Sequence, residues 1–366
     1  MVRNGSLAMP DWRALLILVA LVVIGVVNLW SASQGLGYPY HQRQILWLGV
    51  GVILGLVAYG LDYRRFEAFA YFFYSLGIVL LVAVWFFGVE VGGAKRWIGV
   101  GGMRFQPSEY MKLALIVALA RYFYRRPRAQ GYSLIELLIP TAIALFPAAL
   151  IALEPDLGTA VSMLLLFSAV VLFCGIRRRS FLTLLAILSL LAPAGWFVLK
   201  DYQRQRIIAF LDPYNDPLGS GYHLIQSKIA VGSGGLWGKG FLGGTQCKLQ
   251  FLPQYHTDFA FALLGEEWGF VGCVVVLVLF MLLILWGFET AFRARDRFGA
   301  IMAAGVTAMF FIHVAVNVGM VLGLLPVVGL PLPFLSYGGS CTVVHMIGMG
   351  LLLNVRRRRH LLAPRP

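Results

Sequence analysis

The sequence predicts an all-α polytopic membrane protein of about ten transmembrane helices, on three observations. Of its 366 residues, 60% are hydrophobic and only 13% charged, about half the charged share of an ordinary soluble domain. The apolar residues come in long runs: residues 14–42 and 68–89 contain no charge at all, and about 18 apolar residues are enough to cross a bilayer as a helix. The basic residues fall in short clusters between those runs, at Arg64–Arg65, Arg125–Arg126–Arg128, Arg177–Arg179, Arg293–Arg297 and Arg356–Arg359.

Taken in order, the expected spans are 14–34, 44–61, 69–88, 108–124, 135–153, 158–175, 181–199, 259–288, 298–324 and 339–355. Helices are required, because an open sheet would leave backbone groups without hydrogen bonds in lipid. The first is read as an uncleaved helix, since Arg3 and Arg13 precede it but no small-residue cleavage site follows. The fourth is the weakest, because it carries Glu109 and Lys112. The uncharged stretch 298–355 is divided by LGLLPVVGLPLPFLSYGGS (322–340), whose prolines and glycine pair cannot continue a straight helix.

With the N-terminus inside, 19 of the 30 Lys and Arg residues fall on cytoplasmic segments and ten on outer ones, six of these in one long loop. Long loops weigh little in the positive-inside rule, so both termini are expected in the cytoplasm. The net charge of +14 is therefore read as loop marking and attraction to anionic membrane lipids; no nucleic-acid partner is expected. One domain, 1–366, is predicted, with 200–258 a large extracytoplasmic loop between helices 7 and 8. That loop contains GSGGLWGKGFLGG (232–244), which lacks the spacing of a phosphate-binding loop and reads as flexible.

Cys174, Cys247, Cys273 and Cys341 show no CxxC pair, and no histidine is read at metal-ligand distance from them, so no metal site is predicted. Cys174 and Cys273 read as apolar filler; Cys247 and Cys341 are expected to face outward. His223 and His256 read as hydrogen-bonding side chains.

Ionisable groups at membrane depth are functional candidates. Asp258 lies where the polar loop enters a long apolar helix, near the positive end of the helix dipole; an N-cap role is the equally weighted alternative. Glu109 and Lys112, three apart, share a helix face as an ion pair or a site lining. Arg96 and Arg104 would bind an anion or snorkel to the interface. EPDLGT (154–159) breaks an apolar hairpin, with Asp156 as a helix cap.

The motifs RWIGVGGMRFQPSEYMKLAL (96–115), EPDLGTA (154–160), DPYNDPLGSGYHLIQSKIAVGSGGLWGKG (212–240), GTQCKLQFLP (244–253), HTDFAFALLGEEWGFVG (256–272) and VNVGMVLGLLPVVGLPLPFLSYGGS (316–340) together resemble the SEDS family (shape, elongation, division and sporulation proteins). The resemblance spans nearly the whole chain, and GTQ before the LP stretch looks more like the elongation branch than the division branch. Gln254, Val328 and Cys341 depart from the family pattern, standing where Glu, Thr and Ser are usual.

The resemblance implies a peptidoglycan glycosyltransferase of the bacterial inner membrane. It would polymerise lipid II, a disaccharide–pentapeptide on undecaprenyl pyrophosphate, into undecaprenyl-pyrophosphate-linked glycan strands, beside a class B penicillin-binding protein that cross-links them. One inverting displacement at a glycosyl pyrophosphate asks for one base and several cations or a divalent metal. The family's essential Asp falls on Asp258, as general base. Arg43, Arg96 and Arg104 are expected to bind pyrophosphate and Glu109–Lys112 to shape the cavity. Arg206, Gln226, Lys239, His256, Thr257 and Ser340 complete the expected substrate-binding set. A lipid II flippase or a non-catalytic scaffold for the penicillin-binding protein are the alternatives.

Overall fold

The computed structural model describes all residues except 1–10, 35–37, 92–93, 101–102, 199–200, 216–220, 249–250, 253 and 359–366. The described chain forms α1 (Trp12–Ser33), α2 (Tyr40–Gly60), α3 (Tyr63–Ala68), α4 (Ala70–Phe87), β1 (Gly88–Val91), β2 (Ala94–Val100), β3 (Met103–Phe105), α5 (Pro107–Arg125), α6 (Leu134–Leu153), α7 (Leu157–Cys174), α8 (Arg178–Val198), α9 (Asp201–Leu211), α10 (Tyr222–Ser233), α11 (Thr245–Lys248), α12 (Ala260–Phe292), α13 (Arg297–Val321) and α14 (Gly339–Arg358).

Each of the ten expected apolar runs is a helix. Seven of the described helices, α1, α2, α4, α6, α7, α12 and α13, are both long and apolar enough to cross a membrane. The chain is a polytopic helical membrane protein. Its burial is inverted relative to a soluble fold: Ile53, Phe86, Phe87 and Ile135 are exposed, whereas Asn28, Gln44, Asn317, His345 and Asn354 are fully buried. Lipid solvates the former; the latter need partners inside the bundle.

The core lies around α5 and α13. α13 packs against α5, α7, α12 and α14, and α5 against α4, α6 and α7. This position explains why α5 tolerates Glu109 and Lys112. Both are buried, and they pair with each other at 2.6 Å. Helix ends are set by local chemistry. Pro107 opens α5, where the missing N–H is no loss. Ser133 and Glu136 form a reciprocal capping box on α6.

One expectation needs correction. The protein is not all-α: β1, β2 and β3 form an antiparallel sheet in that order, with Val89 opposite Trp97 and Gly99 opposite Arg104. It sits between α4 and α5, where a Gly-rich polar stretch leaves the apolar runs. The expected loop 200–258 contains α9, α10 and α11, and α10 packs on α12.

The glycine-dense stretch is also not read correctly as a flexible loop. It folds back on the start of α12. Lys239 N and Gly240 N donate to the carbonyls of Glu266 and Glu267 at 3.0 Å each. Gly238 has φ +79, and an added Cβ there would stand 2.1 Å from the Glu267 carbonyl oxygen, so a left-handed backbone and a close approach both demand glycine. Gly269 (φ +66) breaks the helical path of α12 where it meets this stretch.

Candidate functional site

Asp258 closes a turn that starts at Gln254. Gln254 takes a left-handed φ of 53, and its carbonyl accepts from the amides of Thr257, Asp258 and Phe259 at 3.0, 3.2 and 3.4 Å. The turn is pinned from below by α13: Asn317 Nδ2 donates to the Asp258 carbonyl at 2.9 Å and to the Leu330 carbonyl at 2.7 Å. Asp258 does not cap α12. The N-cap residue is Phe259, with no side-chain hydrogen bond. The carboxylate instead faces the Pro-rich segment, where an added Cβ on Gly329 would lie 3.4 Å from Oδ2.

Burial and the nearby Asp156 carboxylate push Asp258 up to about 6, while the guanidinium groups of Arg206 and Arg96 pull it down. Asp156 caps α7, accepting from Thr159 N at 3.2 Å and Thr159 Oγ1 at 2.9 Å. It also receives Gln106 Nε2 at 3.3 Å and lies 3.9 Å from Arg96 Nη1. Arg96, on β2, reaches over the 154–156 turn. It donates Nε to the Glu154 carbonyl at 3.2 Å and Nη2 to the Pro155 carbonyl. Glu154 is buried, and desolvation with the adjacent Asp156 charge raises it to about 8. Gly158 packs so tightly under the Val328 carbonyl that an added Cβ would stand 2.1 Å from it. The 154–159 turn, the Pro-rich segment and the Asp258 turn therefore converge.

The other expected residues divide. Arg206, on α9, is exposed and donates to the Val327 carbonyl at 3.3 Å, beside the same segment. Ser340 is buried at the start of α14 and accepts from Gln106 N at 2.8 Å. Arg43 is exposed, lies over the Tyr38 ring at 4.7 Å and hydrogen-bonds Tyr337. Arg104 is exposed on β3, and Gln226 is half-buried on α10.

Thr257, His256 and Lys239 each have partners within the chain. Thr257 Oγ1 donates to the Gln254 carbonyl at 3.2 Å. His256 stacks on Tyr40, with ring centroids 4.1 Å apart, and its carbonyl accepts from Tyr337 N at 2.8 Å; burial pushes its imidazole down to about 4, so it is neutral near pH 7. Lys239 is engaged by the buried Glu266 at 2.6 Å, which holds its ammonium inside the folded glycine stretch. Glu109–Lys112 lies within the bundle, where Lys112 Nζ also contacts His313 Nε2 at 2.6 Å.

Residues 12–361 match the FtsW/RodA/SpoVE family model, described as a cell cycle protein. The peptidoglycan glycosyltransferase MrdB of Escherichia coli K12 is 44% identical over 359 residues, covering 96% of this chain and 95% of that one. This chain belongs to the SEDS family, the FtsW/RodA group. Within the family, RodA of Treponema pallidum is 35% identical over 426 residues, covering 95% of this chain and 98% of that one. A chain solved as part of a peptidoglycan synthase complex superposes with TM-score 0.83 at 38% identity, covering 96% of this chain and 99% of its own. The rod shape determining protein RodA of Thermus thermophilus gives TM-score 0.72 at 32% identity, over 97% and 99%.

The three departures from the SEDS pattern now have places. Gln254 forms the strained corner of the Asp258 turn, and Val328 supplies the carbonyl over Gly158. Cys341 is buried, with Sγ 3.4 Å from His345 Nδ1. The expectation that no histidine lies at metal-ligand distance from a cysteine is overturned. Cys341 and His345 are one helical turn apart, and with His313 their ligand atoms all lie within 4.8 Å of one another. Asn317, Gln106, Glu266, His313 and His345 were not singled out from the sequence. The signal for Asn317, His313 and His345 was available: each is a polar residue in an otherwise apolar run.

Proposed function

We propose that this protein is a glycosyltransferase that polymerises lipid II into peptidoglycan strands for cell elongation, with Asp258 as general base. Its family supports the activity class: the relatives named above are peptidoglycan glycosyltransferases by description. The observation that carries the site is that Asp258 caps no helix, and its carboxylate is instead raised to about 6 beside Asp156, Arg206 and Arg96. A base with that value is ionised at neutral pH yet close enough to it to accept a proton.

In this reading the acceptor sugar 4-hydroxyl attacks the anomeric carbon of the donor from the face opposite the pyrophosphate. Asp258 takes the hydroxyl proton as the new C–O bond forms. The undecaprenyl pyrophosphate leaves with inversion, its charge met by Arg96 and Arg206, with Arg43 and Arg104 further out. The buried Glu109–Lys112 pair and Ser340 hold the walls, and Gln226 on α10 offers an amide to the sugar. The ten helices cross the membrane with both termini in the cytoplasm, on the side of the Arg clusters. The Asp258 end then faces the extracytoplasmic side, where lipid II presents its head group, and the chain acts as one integral-membrane unit. A class B penicillin-binding protein supplies the cross-linking partner; the neighbour solved in a peptidoglycan synthase complex supports this.

The test is glycan polymer formation from purified lipid II by the detergent-solubilised protein and its Asp258→Asn variant. Each is assayed with and without the partner and a divalent cation. Polymer from the parent and none from the variant is expected. Polymer from both removes Asp258 as base, and polymer from neither with partner bound restores the flippase and scaffold readings.

A further inference from the structure

The buried polar cluster where α13 meets α14 is not used by the reaction proposed above. Cys341 and His345 stand four residues apart on α14, so they share a face. His313 faces them from α13, with its ring 4.7 Å from that of His345 at 77°. All three are buried, and each offers a ligand atom within 4.8 Å of the others.

The hydrogen bonds fix which nitrogens are free. His345 Nδ1 lies 2.8 Å from the Cys341 carbonyl, an acceptor, so Nδ1 carries the proton and Nε2 the lone pair. His345 Nε2 has no hydrogen-bond partner among the described residues although the side chain is 0% exposed. A buried polar atom left alone in this way asks for a water or an ion. His313 Nδ1 lies 3.0 Å from the Pro331 carbonyl, which leaves the Nε2 lone pair turned to Lys112 Nζ at 2.6 Å. Lys112 is also held by Glu109 at 2.6 Å, so it keeps an anionic partner if it gives up His313.

We propose that Cys341, His313 and His345 form a binding site for a single copper(I) ion. Two arguments select that ion over a dication. A thiolate with two imidazoles is the soft, low-coordinate donor set that copper(I) takes. Charge decides further: copper(I) with one thiolate and two neutral imidazoles is uncharged, and the Glu109–Lys112 pair stays intact beside it. A dication on the same ligands leaves one net positive charge in a low-dielectric bundle beside the Glu109–Lys112 pair, whose own charges already cancel, and an uncompensated buried charge is costly. Because His313 also holds the Pro331 carbonyl, the ion would tie α13, α14 and the Pro-rich segment together.

The test uses the full-length protein with Cys174, Cys247 and Cys273 replaced by Ala, so that Cys341 is the one thiol. Copper(I) is held anaerobically against a chromophoric copper(I) chelator, with zinc(II) as a parallel probe. One equivalent per chain and a raised melting temperature on loading are expected. Adding Cys341→Ser or His345→Gln should weaken retention by at least about tenfold, the lower bound for losing even an outer partner of a metal ligand. Metal-free melting of the Cys341→Ser protein serves as the folding control. No competition with the chelator, equal retention by folded Cys341→Ser, or preference for zinc(II) would each overturn the site.

Discussion

The side-chain amide of Asn317 bridges two carbonyls, those of Asp258 at 2.9 Å and Leu330 at 2.7 Å. One buried residue of α13 thus fixes the turn that carries the proposed base and the segment that faces it. Asn317→Leu keeps the bulk but leaves both carbonyls unsatisfied, at roughly 1–3 kcal/mol for each buried group. Thermal unfolding should show the loss, and polymer synthesis per folded molecule should fall by at least tenfold. Full activity of the folded variant would mean that the turn holds without its clamp.

The acid limb of polymer synthesis should report Asp258. Its carboxyl is raised to about 6 by burial first and by Asp156 second. A base must be ionised, so the rate should rise as pH passes through about 6 and level off above it. Asp156→Asn retains the cap on α7, because Asn caps as well as Asp, but removes the like charge. Its acid limb should move to lower pH, whereas Arg206→Gln should move it up. A pH–rate profile that stays fixed in both variants would separate Asp258 from the limb.

Glu154 offers a stability prediction with a definite sign. Desolvation, then Asp156, raises it to about 8 in the folded protein, from an ordinary value of 4.5. Its folded pKa is the higher, so its stabilising contribution is complete below about 4.5 and is lost as pH rises through about 8. Glu154→Gln imitates the neutral acid. The variant should melt with the parent at low pH and several degrees above it at pH 9. Parallel melting curves across the range would contradict a buried neutral acid.

The folded glycine stretch depends on Glu266. One buried oxygen accepts from Lys239 Nζ at 2.6 Å, Thr245 N at 2.8 Å, Gln246 N at 3.0 Å and Thr245 Oγ1 at 3.0 Å. Glu266→Ala should lower unfolding stability by about 3–5 kcal/mol, as when one partner of a buried ion pair is removed. Glu266→Gln should recover part of it. Limited proteolysis around residues 234–244 should accelerate in the Ala variant; unchanged cleavage would show that the glycines hold the fold alone.

The helices were legible because hydropathy is a local signal. The run expected at 135–153 is Leu134–Leu153, and that at 259–288 starts at Ala260. What escaped was non-local. The sheet of residues 88–105 has glycines and charges where strands usually have alternation, and it forms because its flanking helices hold it. Nothing in the sequence reveals that Glu266, 27 residues later, reaches Lys239. Asp258 was balanced between base and cap from position alone. The N-cap at Phe259, which makes no side-chain hydrogen bond, removes the cap reading, and that position depends on a turn the sequence does not show. The i, i+4 spacing of Cys341 and His345 on α14 was visible in the sequence, but the approach of His313 from α13 was not.

The contact of α14 with α2 is made of glycines: an added Cβ on Gly350 would stand 2.1 Å from the Gly55 carbonyl oxygen, and one on Gly55 2.8 Å from that of Met346. Small residues at both faces let the two backbones approach this closely. The face of α2 that carries Gly51 and Gly55 therefore waits, through the making of every helix between, for a strip of α14. Until then a glycine-lined groove is open to lipid and to any other small-residue helix nearby. The contact that joins α2 to α14 is consequently completed only long after α2 itself has been made.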